Sequence, residues 1–168
     1  SPAGRFTMPT PGGASVGEHD LVQSVLGEHG LEVDFWKIAM RPGKPLISGR
    51  VDGIPLLGLP GNPVSSAVCA LIFLRPAILH MAGSASIDDS MTARLASPLT
   101  ANDQRQDYLR ACLSHCPGDL PLITPFDRQD SSMISVLSRS NALIVRQPFD
   151  NARVAGDLVT ALRFPPLL

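Results

Sequence analysis

The chain reads as two modules: α/β to about residue 88, then a small all-β module. Three observations predict this. Before residue 88, two segments carry helix punctuation, with a capping residue in front and a glycine behind. Between them lie a strand and a hairpin pattern. From Met91 the chain becomes short apolar segments broken by Pro, Gly, Asn or Asp, as small all-β modules do.

The elements follow in order. Residues 1–11, SPAGRFTMPTP, hold three prolines and no periodicity, so they form an irregular arm. Asp20 caps a helix whose apolar face is Leu21, Val22, Val25 and Leu26, and Gly30 stops it. LEVDFWKIAM (31–40) alternates as a strand, RPGKP turns, and LISGRVDGIPLLGL forms a hairpin about Asp52-Gly53. Asn62 caps a second helix with Pro63 at its first position; it runs to about Ala82 with a bend at Pro76, and Gly83 ends it. SASIDDS is a linker. MTARLASPLT, QDYLRACLSH, LPLITPF, ALIVRQP and DLVTALRF are the strands of the second module, interrupted by one short helix, SSMISVLSRS.

Composition narrows the function classes. With 44% hydrophobic residues, 17% charged and a net charge of −1, the chain is globular rather than disordered. There is no basic surplus for phosphate-backbone binding, which argues against a nucleic-acid reader. AVCALIFL (67–74) is cut off by Arg75 and Pro76 and is too short to span a bilayer, and the first residues lack the apolar core of a signal peptide. The expectation is a cytoplasmic protein without a membrane partner. Three cysteines are odd in number, against a disulfide framework. CLSHC lacks a second ligand pair, so it is read as ordinary sequence rather than a zinc site.

Three loops could carry chemistry. In GGASVGEHD, Gly12, Gly13, Ser15 and Gly17 let backbone N–H groups converge on an anion in front of a helix; a plain turn and N-cap would look the same. This loop wants a strand feeding into it, and TMPTP is a poor one because proline lacks a ladder donor, so an upstream strand is expected. In FWKIAMRPGKP, Lys37 and Arg41 share a face of one strand and Lys44 turns back toward them, an oxyanion pocket or three solvated cations. In GLPGNPVSS, Pro60, Gly61 and Pro63 stiffen a loop opening into a helix N-terminus, with Asn62, Ser65 and Ser66 as extra donors; the alternative is a well-made cap. In the β module Arg105 and Arg110 flank a strand and Ser131 and Ser132 start a helix, features equally at home on any surface. Asp107 is read as pairing with an arginine, of little worth where exposed.

Taken in this order, the three loops and the RxDYxR and QxSS segments resemble the molybdopterin molybdenumtransferase family, MoeA and the gephyrin E domain, from about Gly12 to the end. The resemblance implies residues 12–88 as part of a molybdopterin-binding α/β domain and 89–168 as a β-barrel-like C-terminal domain. It implies insertion of molybdate into adenylylated molybdopterin with release of AMP, magnesium as cofactor, and a homodimer with shared sites. The adenylyltransferase of the preceding step is an implied partner. By position it implies catalytic roles for Asp20, Lys37 and Arg41. Gly12, Gly13, Ser15, Gly17, Lys44, Pro60, Gly61, Asn62, Pro63, Ser65, Arg110 and Ser131 would bind substrate; metal ligands are not assigned.

Departures from the family pattern are specific. Its TTGG reads TPGG here, its TGDEL-type loop and two N-terminal domains are absent, and its QGS reads QDS, placing Asp130 where a glycine is usual. An acid there opposes molybdate by like-charge repulsion. The expectation is a fragment or truncated homologue that does not turn over by itself. A non-catalytic scaffold of the same family is the alternative. An adenylyltransferase-type relative is a third class, which the β module argues against.

Overall fold

The computed structural model describes residues 30–35, 38–84, 88–130 and 133–165. The chain divides into two compact units: residues to Ile38 with Pro42–Ser86, and Ala39–Arg41 with Ile87–Leu168.

The first unit has a three-stranded antiparallel sheet of β1 (Leu31–Phe35), β3 (Ile47–Val51) and β4 (Ile54–Gly58), with β3 in the middle. Asp52 and Gly53 join β3 to β4 with φ of 49° and 75°. Two positive φ values match the right-handed twist of the strands, the reason Asp-Gly favours this hairpin. Gly49 lies opposite Val33 on β1, and a Cβ there would collide with the Glu32 carbonyl oxygen. Close approach of the two backbones requires a glycine at that point.

The hairpin leads into one continuous helical run, α1 (Pro63–Cys69), a π turn (Ala70–Leu74) and α2 (Arg75–Met81). The expected irregularity at Pro76 is a π turn just before it. Proline has no N–H and its ring crowds the carbonyl four residues back; widening the preceding turn, with Arg75 N–H bonded to Ala70 O, relieves that conflict. Gly83 has φ of 72°, and the Ser84 N–H to Leu79 O bond of 2.9 Å closes the helix end. The helix continues through Arg75 and Pro76, so residues 67–74 are not cut off there as expected but belong to a longer apolar run. By length and composition alone Pro63–Met81 could cross a membrane, a test that core helices of soluble proteins also pass.

The second unit is a barrel. It holds β2 (Met40–Arg41), β5 (Ser90–Leu95), β6 (Gln106–Ser114), β7 (Leu122–Pro125), β8 (Ala142–Arg146), β9 (Leu158–Arg163) and a short α3 (Ile134–Arg139). The order β6-β7-β5-β9-β8 closes because β8 pairs back onto β6, and β2 adds in parallel to β6. Closure leaves those five strands without a free edge. Ala93, Leu95, Ala111, Ile123, Ala142, Ile144, Val159 and Ala161 form the interior. Half of these are alanines, as a narrow barrel demands.

One expectation fails here. The single strand over 31–40 is two: β1 ends at Phe35, and Met40 and Arg41 pair with the barrel instead. The reason is burial, since Met40 is 4% exposed within the second unit and Gln106 N–H bonds Ala39 O at 2.9 Å. Arg41 therefore does not extend the strand that Lys37 was expected to share.

Candidate functional site

In the first unit the PGNP loop is built as the sequence predicts. Asn62 Oδ1 accepts from Ser65 N–H at 3.0 Å, Ser66 N–H reaches Asn62 O at 2.8 Å, and Ser66 Oγ donates to Pro60 O. The cap reading is thus realised, and the Ser65 amide is engaged by Asn62. Pro60 and Ser65 are buried, while Gly61 and Pro63 face solvent. Lys44 is exposed, its carbonyl accepting from Ile38 N–H at 3.2 Å across the PGKP turn. Gly12, Gly13, Ser15, Gly17, Asp20, Lys37 and Ser131 lie outside the described residues, as does the first predicted helix.

In the second unit, strand register decides the arrangement. Arg41 on β2 lies opposite Asp107 on β6, and Asp107 lies opposite Arg146 on β8. Side chains directly opposite on neighbouring strands share a face, so Arg41, Asp107 and Arg146 line one face of the sheet. Asp107 Oδ2 accepts from Arg41, which also reaches Asp103 at 3.4 Å. Arg146 is 3% exposed and bonds Asp150 at 2.6 Å and the carbonyls of Thr100 and Asn151 at 3.2 and 2.8 Å. Asp107 does pair with an arginine, but its side chain is only 4% exposed. Arg41 is 46% exposed, so solvent screens this pair from one side only.

Arg110 is no surface residue either: it is 1% exposed. Its backbone N–H and Nε both donate to Gln129 Oε1, and Nη1 donates to Asp130 O at 2.9 Å. Burial lowers its pKa from the ordinary arginine value, and the charge of Asp130 pulls the other way. Asp130 thus partly offsets the cost of burying the Arg110 cation. Asp103 is held down at about 2, first by the side-chain hydrogen bond from Arg105 and then by the Arg105 N–H. Cys69 is buried and its thiol is pushed up to about 12, which leaves it no nucleophilic role at neutral pH.

A cavity of about 480 Å³ in the second unit is lined by Arg41, Asp107, Arg146, Leu109, Phe126 and Gln129, among others. Gln129, Asp107 as a buried group, and Arg146 with Asp150 were missed from the sequence. The available signal was polar side chains inside strands that are otherwise apolar. Among the described residues no group of three or more His, Cys, Asp or Glu side chains could hold a metal ion. Magnesium therefore finds no ligand set among them.

Comparison with known proteins covers both units. Residues 10–80 match the family described as probable molybdopterin binding domain, and residues 92–164 the MoeA C-terminal region, domain IV. A molybdopterin molybdenumtransferase of Haemophilus influenzae is 33% identical over 161 residues, 95% of this chain and 40% of that relative. Molybdopterin molybdenumtransferase 2 of Mycobacterium tuberculosis is 37% identical over 117 residues, 65% of this chain and 28% of the relative. The crystal structure of a molybdopterin biosynthesis MoeA protein from Pyrococcus horikoshii matches 88% of this chain and 36% of its own, with TM-score 0.71 and 27% identity. The chain spans two fifths or less of the length of these relatives. With the two segments in this order and relatives of this name along most of its length, the chain belongs to the molybdopterin molybdenumtransferase family.

Proposed function

We infer that the chain supplies part of the machinery that inserts molybdate into adenylylated molybdopterin, releasing AMP. The carrying observation is the pair of family matches, 10–80 and 92–164, which together include every loop picked out for oxyanion binding. Molybdate is a dianion and the substrate carries a pyrophosphate, so fixed N–H donors and cations in a partly dry cleft would bind both. In this reading Lys37, Arg41 and Lys44 supply charge, and Asp20 orients the attacking oxygen. The Gly12–Gly17 and Pro60–Ser65 loops supply backbone donors, and Arg110 and Ser131 act from the barrel. Magnesium, a cytoplasmic location, a homodimer with shared sites and the adenylyltransferase as partner belong to the same reading.

The test mixes the chain with adenylylated molybdopterin, molybdate and magnesium, alone and with the remaining N-terminal part of the Haemophilus influenzae relative added. Release of AMP upon complementation is the expected result. No release under either condition sinks the enzymatic reading and leaves the scaffold one.

A further inference from the structure

Arg41 is held both by its backbone and by the end of its side chain. Its strand is stitched to β6: Gln106 N–H bonds Ala39 O at 2.9 Å, and the neighbouring Met40 is buried. One terminal nitrogen of Arg41 donates to Asp107 Oδ2 and the other to Asp103 Oδ2 at 3.4 Å. Asp103 is fixed in turn, accepting from the Arg105 side chain at 2.6 Å and the Arg105 backbone N–H at 2.8 Å.

The two anchors differ in burial. The Asp103 side chain is 43% exposed, so water screens its hold on Arg41, whereas Asp107 is enclosed. Asp107 is the firmer anchor of the two. An arginine side chain has five N–H groups, and these bonds take two of them. Nε–H and one N–H on each terminal nitrogen take no part in them, on a side chain that is half-exposed and lines the cavity of about 480 Å³. Asp107 gains little for itself: among the described residues its Oδ1 has no hydrogen-bond partner. A pair kept for stability alone would not carry that cost.

An untethered arginine samples many rotamers, and an arriving anion must arrest it. A tethered one meets the anion already aimed. Building on the reading above, in which Arg41 supplies charge to an oxyanion, we propose that Asp107 is a positioning residue. It fixes the Arg41 guanidinium so that the remaining N–H groups meet the reacting oxyanion without rearrangement. Asp107 touches no substrate and acts only through Arg41.

Charge and position predict opposite signs. A carboxylate close to an oxyanion repels it, so by charge alone its removal would speed the reaction. By position, Asp107→Ala slows AMP release in the complemented assay by at least about tenfold. Asp107→Asn, which keeps an acceptor but loses the charge, is slowed less. A double-mutant cycle separates positioning from a merely structural role: the double variant Arg41→Ala, Asp107→Ala should match Arg41→Ala within about twofold, at equal melting temperature. The proposal is overturned if either folded Asp107 variant keeps or exceeds the unsubstituted rate, or if the two effects multiply. Should the Asp107 variants not fold, nitrogen NMR of the 168-residue chain decides. The Arg41 terminal nitrogens, assigned by their loss in Arg41→Ala, give separate signals when the guanidinium is held; one averaged signal overturns the proposal. No AMP from the unsubstituted assembly removes the functional reading and this proposal with it. Normal release together with an overturning result removes this proposal alone.

Discussion

At the scale of residues, burial decides which charges matter. Arg146 is enclosed and serves one carboxylate and three loop carbonyls, of Thr100, Asp150 and Asn151. Arg146→Ala strands those partners, and urea unfolding should show a loss of about 3 kcal/mol or more. Asn62→Ala removes the acceptor for Ser65 N–H and should cost about 1 kcal/mol in the same measurement. Asp130→Gly introduces beside Arg110 the glycine that the family resemblance implies. In the complemented AMP-release assay it should lower the molybdate concentration needed for half-maximal rate severalfold, because a nearby negative charge is gone.

At the scale of elements, the sequence was most legible where local chemistry acts alone. Asp52-Gly53, Asn62-Pro63 and Gly83 each require a particular backbone geometry, and each is found performing the predicted turn, cap or stop. All five strand segments after residue 88 are strands. The break between Phe35 and Met40 was not legible, because alternation persists through 31–40 while the barrel's demand for Met40 is a long-range effect. Asp107 and Arg110 were misread as surface residues for the same reason: their burial depends on β2, β8 and Gln129, all distant in sequence. Two predictions belong to this scale. Gly49→Ala places a methyl on the Glu32 carbonyl, so β1 must move away from β3; a loss of about 1–3 kcal/mol is expected in urea unfolding. Asp103 and Asp150 have lowered pKa values, through Arg105 and chiefly Arg153 respectively. Their contribution is present above the ordinary value of 3.8 and is lost as pH falls below it, for Asp103 toward about 2. Thermal midpoints should be flat with respect to these groups above pH 4 and decline below it, modestly for exposed Asp103.

At the scale of the whole molecule, the residues picked out for oxyanion binding divide between the two units. The PGNP loop and Lys44 belong to the first unit, Arg41 and Arg110 to the second. The family was legible because its glycine, proline and basic loops occur in a characteristic order along the chain. The inward face of the barrel was not, since strand pairing makes it. Val33 and Phe35 on the edge strand β1 are exposed apolar residues, 38% and 41% accessible, and strand edges of this kind favour pairing with another chain. Light scattering should return twice the chain mass if the proposed homodimer forms. The most direct measurement concerns the cations proposed to bind oxyanions: AMP release by the complemented assembly with the chain and with Lys37→Ala. A fall of about a hundredfold with an unchanged melting temperature is predicted, the scale set by removing one oxyanion-stabilising donor. A rate unaltered by the substitution would contradict the account.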